Sequence, residues 1–117
     1  MCYFLHYICI VKNRFLINWN IQLKKGLLPL YVLQALEKKE CYGYELIQEL
    51  KLEIGIDVTE GTIYPLLVRL MKDNLLTCKW VEQPSGIPRK YYQMSVEGKN
   101  NLNEMKNMVQ GIFSVIK

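Results

Sequence analysis

The sequence predicts a mainly α-helical fold closed by a small β-hairpin, and three observations carry that prediction. Two amphipathic runs, residues 42–54 and 59–74, are separated only by Gly55 and the short link Ile56-Asp57-Val58. Two β-prone runs, residues 77–82 and 89–94, flank the turn-forming stretch Q-P-S-G-I-P. A last run places Leu102, Met105, Val109, Ile112 and Ile116 at alternating spacings of three and four, the a/d pattern of an associating helix. A chain of 117 residues holds one domain with a modest core and has helix left over for association.

Composition sets the partners. Half of the residues are hydrophobic, with 11% aromatic, so a folded protein is expected. The net charge of +4 is unevenly placed: residues 1–39 carry +5, residues 40–60 carry −5, residues 61–75 carry +1 and residues 76–117 carry +3. Basic ends around an acidic middle fit a protein that meets phosphate with particular surfaces. The cysteines Cys2, Cys9, Cys41 and Cys78 have no C-x-x-C spacing, and the single histidine is His6. No metal site, cofactor or catalytic constellation is therefore expected, and an enzyme is not. Reduced thiols and a cytoplasmic location are the expectation.

Residues 1–11 are apolar but too short to span a bilayer, and they lack the basic start and small-residue cleavage site of a signal peptide. No membrane partner is expected. A membrane-touching extension, an added dimer-packing segment and a start codon placed upstream of the true one all compete here. The AT-rich codon bias of Tyr, Phe, Ile, Asn and Lys favours the last. Residues 1–17 are set apart as an extension of doubtful status, residues 18–94 as a DNA-binding domain and residues 95–117 as a dimerisation helix.

Residues 27–36, L-L-P-L-Y-V-L-Q-A-L, are apolar almost all round and predict a buried first helix with Pro29 in its first turn. Lys24 and Lys25 then stand at its exposed start as a pair of candidate phosphate contacts. Residues 37–41 read as a polar turn. The second helix has Leu46, Ile47, Leu50 and Ile54 as its core stripe and Gly55 as its left-handed stop. Its outer face carries Glu45, Glu49 and Glu53. The next helix opens with Thr59 as N-cap, its hydroxyl expected to accept a first-turn amide. Ile63, Leu66, Leu67, Leu70 and Met71 form its core stripe, leaving Thr62, Tyr64, Pro65, Arg69 and Lys72 outside. Two helices with so short a link make a helix-turn-helix candidate. The hairpin that follows brings Lys79, Arg89 and Lys90 to flanking backbone. Helix, helix, helix and basic hairpin is the winged helix-turn-helix order. Ser95 caps the last helix.

These residues carry a family likeness. The pieces K-K-G-L-L-P-L-Y-V-L-Q-A-L, Y-G-Y-E-L, T-E-G-T-I-Y-P-L-L-V-R-L and R-K-Y-Y-Q-M-S-V-E-G, in this order and spacing, resemble the PadR-like transcriptional regulators in their short form with one C-terminal helix. The likeness covers residues 22–102. It implies a dimeric winged-helix repressor on a pseudo-palindromic operator in a bacterial promoter, controlling detoxification, efflux or envelope-stress genes. By position it implies that Thr59, Thr62, Tyr64 and Arg69 lie on the DNA face, with Tyr44 near backbone and Arg89 and Lys90 in the wing. Some relatives bind flat aromatic drugs between paired tryptophans on the C-terminal helix. Here Trp19 and Trp80 lie elsewhere, which puts drug binding of that kind in doubt and leaves any small-molecule effector unknown. The expected partners are double-stranded DNA and a second copy of the chain. The alternative is a winged-helix module that binds protein through its acidic second helix. Pro65, several residues into the reading helix, means either that this helix begins near Gly61 or that it bends.

Overall fold

The computed structural model describes residues 13–117. Its elements, in chain order, are α1 (Arg14–Lys38), β1 (Cys41–Tyr42), α2 (Gly43–Ile54), α3 (Glu60–Lys72), β2 (Leu76–Val81), β3 (Arg89–Met94) and α4 (Val96–Ser114). Four helices and a three-stranded antiparallel sheet of order β1-β3-β2 make the mainly helical fold with a small hairpin that the sequence predicts.

α1 is the largest departure from expectation. It runs for 25 residues, with Asn13 as N-cap accepting from the Leu16 amide at 3.2 Å. Pro29 is therefore in its interior, and Lys24 and Lys25 are mid-helix residues rather than residues at its start. Residues 14–26 contain no proline and only Gly26 as a weak breaker, so the helix extends backwards. Pro29 then forfeits the bond its amide would give the Lys25 carbonyl. The expected extension, residues 1–17, falls mostly outside the described residues; its last four residues are α1's first turn.

The core is built from Leu28, Leu30, Val32, Leu33 and Leu36 of α1, Leu46 and Leu50 of α2, and Ile63, Leu66, Leu67 and Leu70 of α3. Cys41, Leu76, Tyr92 and Leu102 close it from the sheet and α4. The stripes predicted for α2 and α3 thus face inward, as three-and-four periodicity requires. Gly55 ends α2 at φ 71° with its amide on the Leu50 and Lys51 carbonyls. After α3, Asn74 takes the left-handed turn at φ 61°. Ser95 locks that corner: its hydroxyl donates to the Asn74 carbonyl at 2.6 Å and accepts from the Gly98 amide at 2.9 Å.

β1 is a strand where the sequence suggests a polar turn. Cys41 pairs with Tyr92 and Tyr42 with Tyr91; two residues are too few to display an alternation. Cys41 is fully buried, and burial, reinforced by the Glu45 carboxylate, pushes its thiol up to about 12. It is a small core hydrophobe.

Candidate nucleic-acid interface

Helical geometry sorts the outer surface of α3. At 3.6 residues per turn the exposed arc runs from Tyr64 through Val68, Gly61, Lys72 and Pro65 to Arg69 and Thr62. All seven are exposed, opposite the buried Ile63, Leu66, Leu67 and Leu70. Thr62 and Tyr64 therefore bound this face on its two flanks. α3 starts at Glu60, so Pro65 lies in its second turn and removes the amide that would meet the Gly61 carbonyl.

Thr59 occupies the N-cap position, but its hydroxyl does not cap. Its carbonyl accepts from the Thr62 and Ile63 amides at 3.1 and 3.0 Å, and its hydroxyl pairs with that of Thr62 at 3.3 Å. Neighbouring threonines satisfy each other, which leaves the amides of Glu60 and Gly61 directed out of the helix end. A cleft of about 540 Å³ joins this end to α1. Ile21, Leu28, Ile56 and Val58 supply its apolar wall, and Lys24, Lys25, Asp57, Thr59 and Thr62 its polar one. The cleft brings the two lysines and the two threonines together despite the shift of the lysines into mid-helix.

On the opposite flank Tyr64 lies against Gly43, where an added Cβ would stand 2.6 Å from Tyr64 Cζ. The Tyr64 phenol is also close enough to Tyr92 to add to burial in raising the Tyr92 pKa. Tyr64 thus packs across the start of α2 and onto the sheet while staying 40% exposed. Tyr44, the residue after Gly43 in α2, is exposed.

The hairpin divides its cations between two faces. Side chains alternate along β2 and β3, and the register pairs Trp80 with Lys90 and Cys78 with Tyr92. Trp80, Lys90, Tyr92 and Cys78 therefore share the face that covers the core. Lys79, Arg89 and Tyr91 share the other. On that outer face the Arg89 guanidinium stacks over Tyr42 at 4.1 Å, and Tyr42 meets Tyr91 edge-on at 5.4 Å. Lys79 is paired with Glu40 at 3.0 Å, an exposed ion pair. Sequence reasoning missed Tyr42 as the seat of Arg89, because the β1–β3 pairing has no local signature. It also passed over Trp80 and Val68, two apolar side chains that the fold leaves exposed.

The acidic face of α2 is partly paired within the chain. Lys38 pairs with Glu53, and Lys39 with Glu49 at 3.2 Å and Glu45 at 3.8 Å. The hydrogen bond from Lys39 to Glu49 and the charge of that carboxylate hold the lysine above its usual pKa.

The expected seam on α4 divides. Leu102 is fully buried, and Met105 and Val109 are half-buried against the same core. Ile112 and Ile116 are exposed, together with Met108, Phe113 and Val115. The chain's own α1 covers the first part of the stripe, which a reading of α4 alone does not anticipate. α1 has exposed apolar residues of its own in Phe15, Trp19, Ile21 and Leu23.

Comparison with known proteins agrees with this geometry. The model of the transcriptional regulator PadR-like family matches residues 32–104. A solved PadR-like transcription factor from Bacteroides fragilis is 38% identical over 85% of this chain and 95% of its own, with a TM-score of 0.72. A PadR family transcriptional regulator from Eggerthella lenta is 32% identical over 94% of this chain and 91% of its own, with a TM-score of 0.77. An uncharacterized protein of Lysinibacillus sphaericus is 30% identical over 83 residues, 69% of this chain and 76% of that relative. With its helices, hairpin and core in the predicted order, the chain belongs to the PadR-like family of transcriptional regulators.

Proposed function

We propose that the protein is a transcriptional repressor that binds double-stranded DNA as a homodimer on a pseudo-palindromic operator, in the cytoplasm. The observation that carries this reading is the exposed arc of α3, with Thr62 and Arg69 on one side and Tyr64 on the other, opposite a continuous buried stripe. A helix held by one face and bare on the other fits the major groove, where its N-terminal residues reach base edges. Thr62 and Tyr64 read bases, and Val68 meets a thymine methyl. The outward amides of Glu60 and Gly61, with Thr59, donate to a phosphate at the helix end. Lys24, Lys25, Tyr44 and Arg69 hold backbone around it, and Arg89 and Lys90 hold backbone from the wing. Lys79, paired with Glu40, is left out of this contact set.

Residues 18–94 supply the DNA-binding unit, and residues 95–117 supply the dimer contact through Met105, Val109, Ile112 and Ile116, with the first turns of α1 added. Exposed apolar area on both helices supports that assignment. Leu102 supports it from within the core. The protein-binding alternative rests on the acidic face of α2, where Lys38 and Lys39 already pair with Glu53, Glu49 and Glu45; that pairing favours the DNA reading over it.

The test is selection of a binding site from random duplex DNA, followed by titration of that site and a scrambled duplex. The reading expects one preferred two-fold site per dimer. Equal affinity for both duplexes would overturn it.

A further inference from the structure

Trp80 is a feature that neither the core nor the contact set above absorbs. Its side chain is 66% exposed, near the projecting end of β2. An indole so placed leaves a large apolar surface in water, and tryptophan is enriched at contacts that are apolar on one side and wet on the other. Its orientation is fixed by register: Trp80 opposes Lys90, and Cys78 opposes Tyr92. Trp80 therefore lies on the sheet face that carries the buried Tyr92, the ring beside Tyr64 of α3. That face continues past the edge of the core toward the wing tip. The Lys90 ammonium lies 5.7 Å from the Trp80 ring centre and 5.5 Å from that of Tyr92, so one cation is held between the two rings.

We infer that Trp80 is a DNA contact of the wing, its indole packing on the deoxyribose edge beside the phosphate that Lys90 holds. The inference rests on the DNA-binding reading above. It adds an apolar anchor to a wing otherwise described by charge. Deoxyribose suits the site because its C–H face is flat and apolar, lies beside a phosphate, and is the same for every base. Trp80 then contributes affinity without sequence preference and without releasing counterions.

The test uses the full chain with Trp19→Phe, so that Trp80 is the only tryptophan. A random-sequence duplex carrying a fluorescent label reports binding by anisotropy, while tryptophan emission and iodide quenching report Trp80. Binding should shift the emission to the blue and reduce iodide quenching about twofold or more, the extent expected if roughly half of the exposed indole is covered. Trp80→Ala should weaken duplex binding about tenfold, in line with the loss of that apolar surface, while the slope of log affinity against log salt stays unchanged. Lys90→Ala should instead flatten that slope by about 0.9. Neither side chain belongs to the buried core, and melting curves verify that the variants fold. Duplex binding with unchanged Trp80 emission and quenching would overturn the inference and leave the DNA-binding reading standing. A chain that binds no duplex would overturn both. Protection of Trp80 by raising protein concentration without DNA would mark a protein contact and overturn the inference.

Discussion

Replacing Gly43 by alanine tests the contact that seats α3 against α2. Gly43 is the first residue of α2 and is buried under Tyr64. An added Cβ would lie 2.6 Å from Tyr64 Cζ and 2.7 Å from Cε1, inside the 3.0 Å that real Cβ contacts essentially never cross. The ring has to move, and because its outer edge is the far end of a partly exposed side chain, the cost falls at the low end of the roughly 1–3 kcal/mol of overpacking. Alanine returns some helix propensity, but at a first-turn position this is a fraction of the roughly 1 kcal/mol seen in helix interiors. A net loss of about 0.5–1 kcal/mol is expected, a fall in melting temperature of about 2–8 °C. Tyr64→Ala opens the same space, so Gly43→Ala should cost little in that background. Urea and thermal melts of the wild type, both single variants and the double variant measure this, with a coupling of at least about 0.5 kcal/mol expected. A Gly43→Ala protein that melts like wild type, or a cycle that is additive, refutes the packing argument. It would also free Tyr64 from any structural role.

Further outcomes follow from the same structure. Ile112→Glu with Phe113→Glu changes only exposed residues of α4 and should give a folded monomer in sedimentation at micromolar concentration; a wild type already monomeric there removes the dimer. Leu102→Ala should instead cost about 2–5 kcal/mol of stability, because the residue is fully buried in its own chain; a normal melt would contradict that placement. Ser95→Ala should cost about 1 kcal/mol, since it breaks the hydrogen bonds to the Asn74 carbonyl and the Gly98 amide; thermal melts check this, and an unchanged midpoint would contradict it. For Cys41 the folded state keeps the proton, its thiol standing at about 12 against an ordinary 9.0. Its contribution to stability is thus fully present below pH 9.0 and is lost as pH rises toward about 12. Cys41→Ala should make urea stability less steeply pH-dependent over that window, and an unchanged dependence would contradict the burial.

What is legible in the sequence is what periodicity encodes. The stripes of α2 and α3, the Gly55 stop and the hairpin between β2 and β3 all depend on local spacing, and they can be read from it. β1 cannot, because its two residues are set by partners far along the chain, Cys41 by Tyr92 and Tyr42 by Tyr91. The start of α1 escapes for a different reason. Pro29 is cheapest in a first turn, whereas the chain tolerates one missing hydrogen bond to gain a longer helix. The split of the α4 stripe depends on how far α1 covers it. Thr59 does not cap because Thr62 offers its hydroxyl a side-chain partner. In the candidate interface, the outer residues of α3 follow from the stripe, but Tyr42 beneath Arg89 and Trp80 beside Lys90 require the strand register.

The central claim is that α3 and the wing hold duplex DNA, and salt dependence tests it most directly. Affinity of the wild type for its selected site, measured across a series of salt concentrations, should fall steeply. The log–log slope should drop in magnitude by about 0.9 for each phosphate that Arg89→Ala or Lys90→Ala releases. Thr62→Ala should leave the slope intact and reduce the preference over scrambled duplex by about 1–3 kcal/mol. Slopes unchanged by the wing substitutions, together with undiminished preference in Thr62→Ala, would contradict the account.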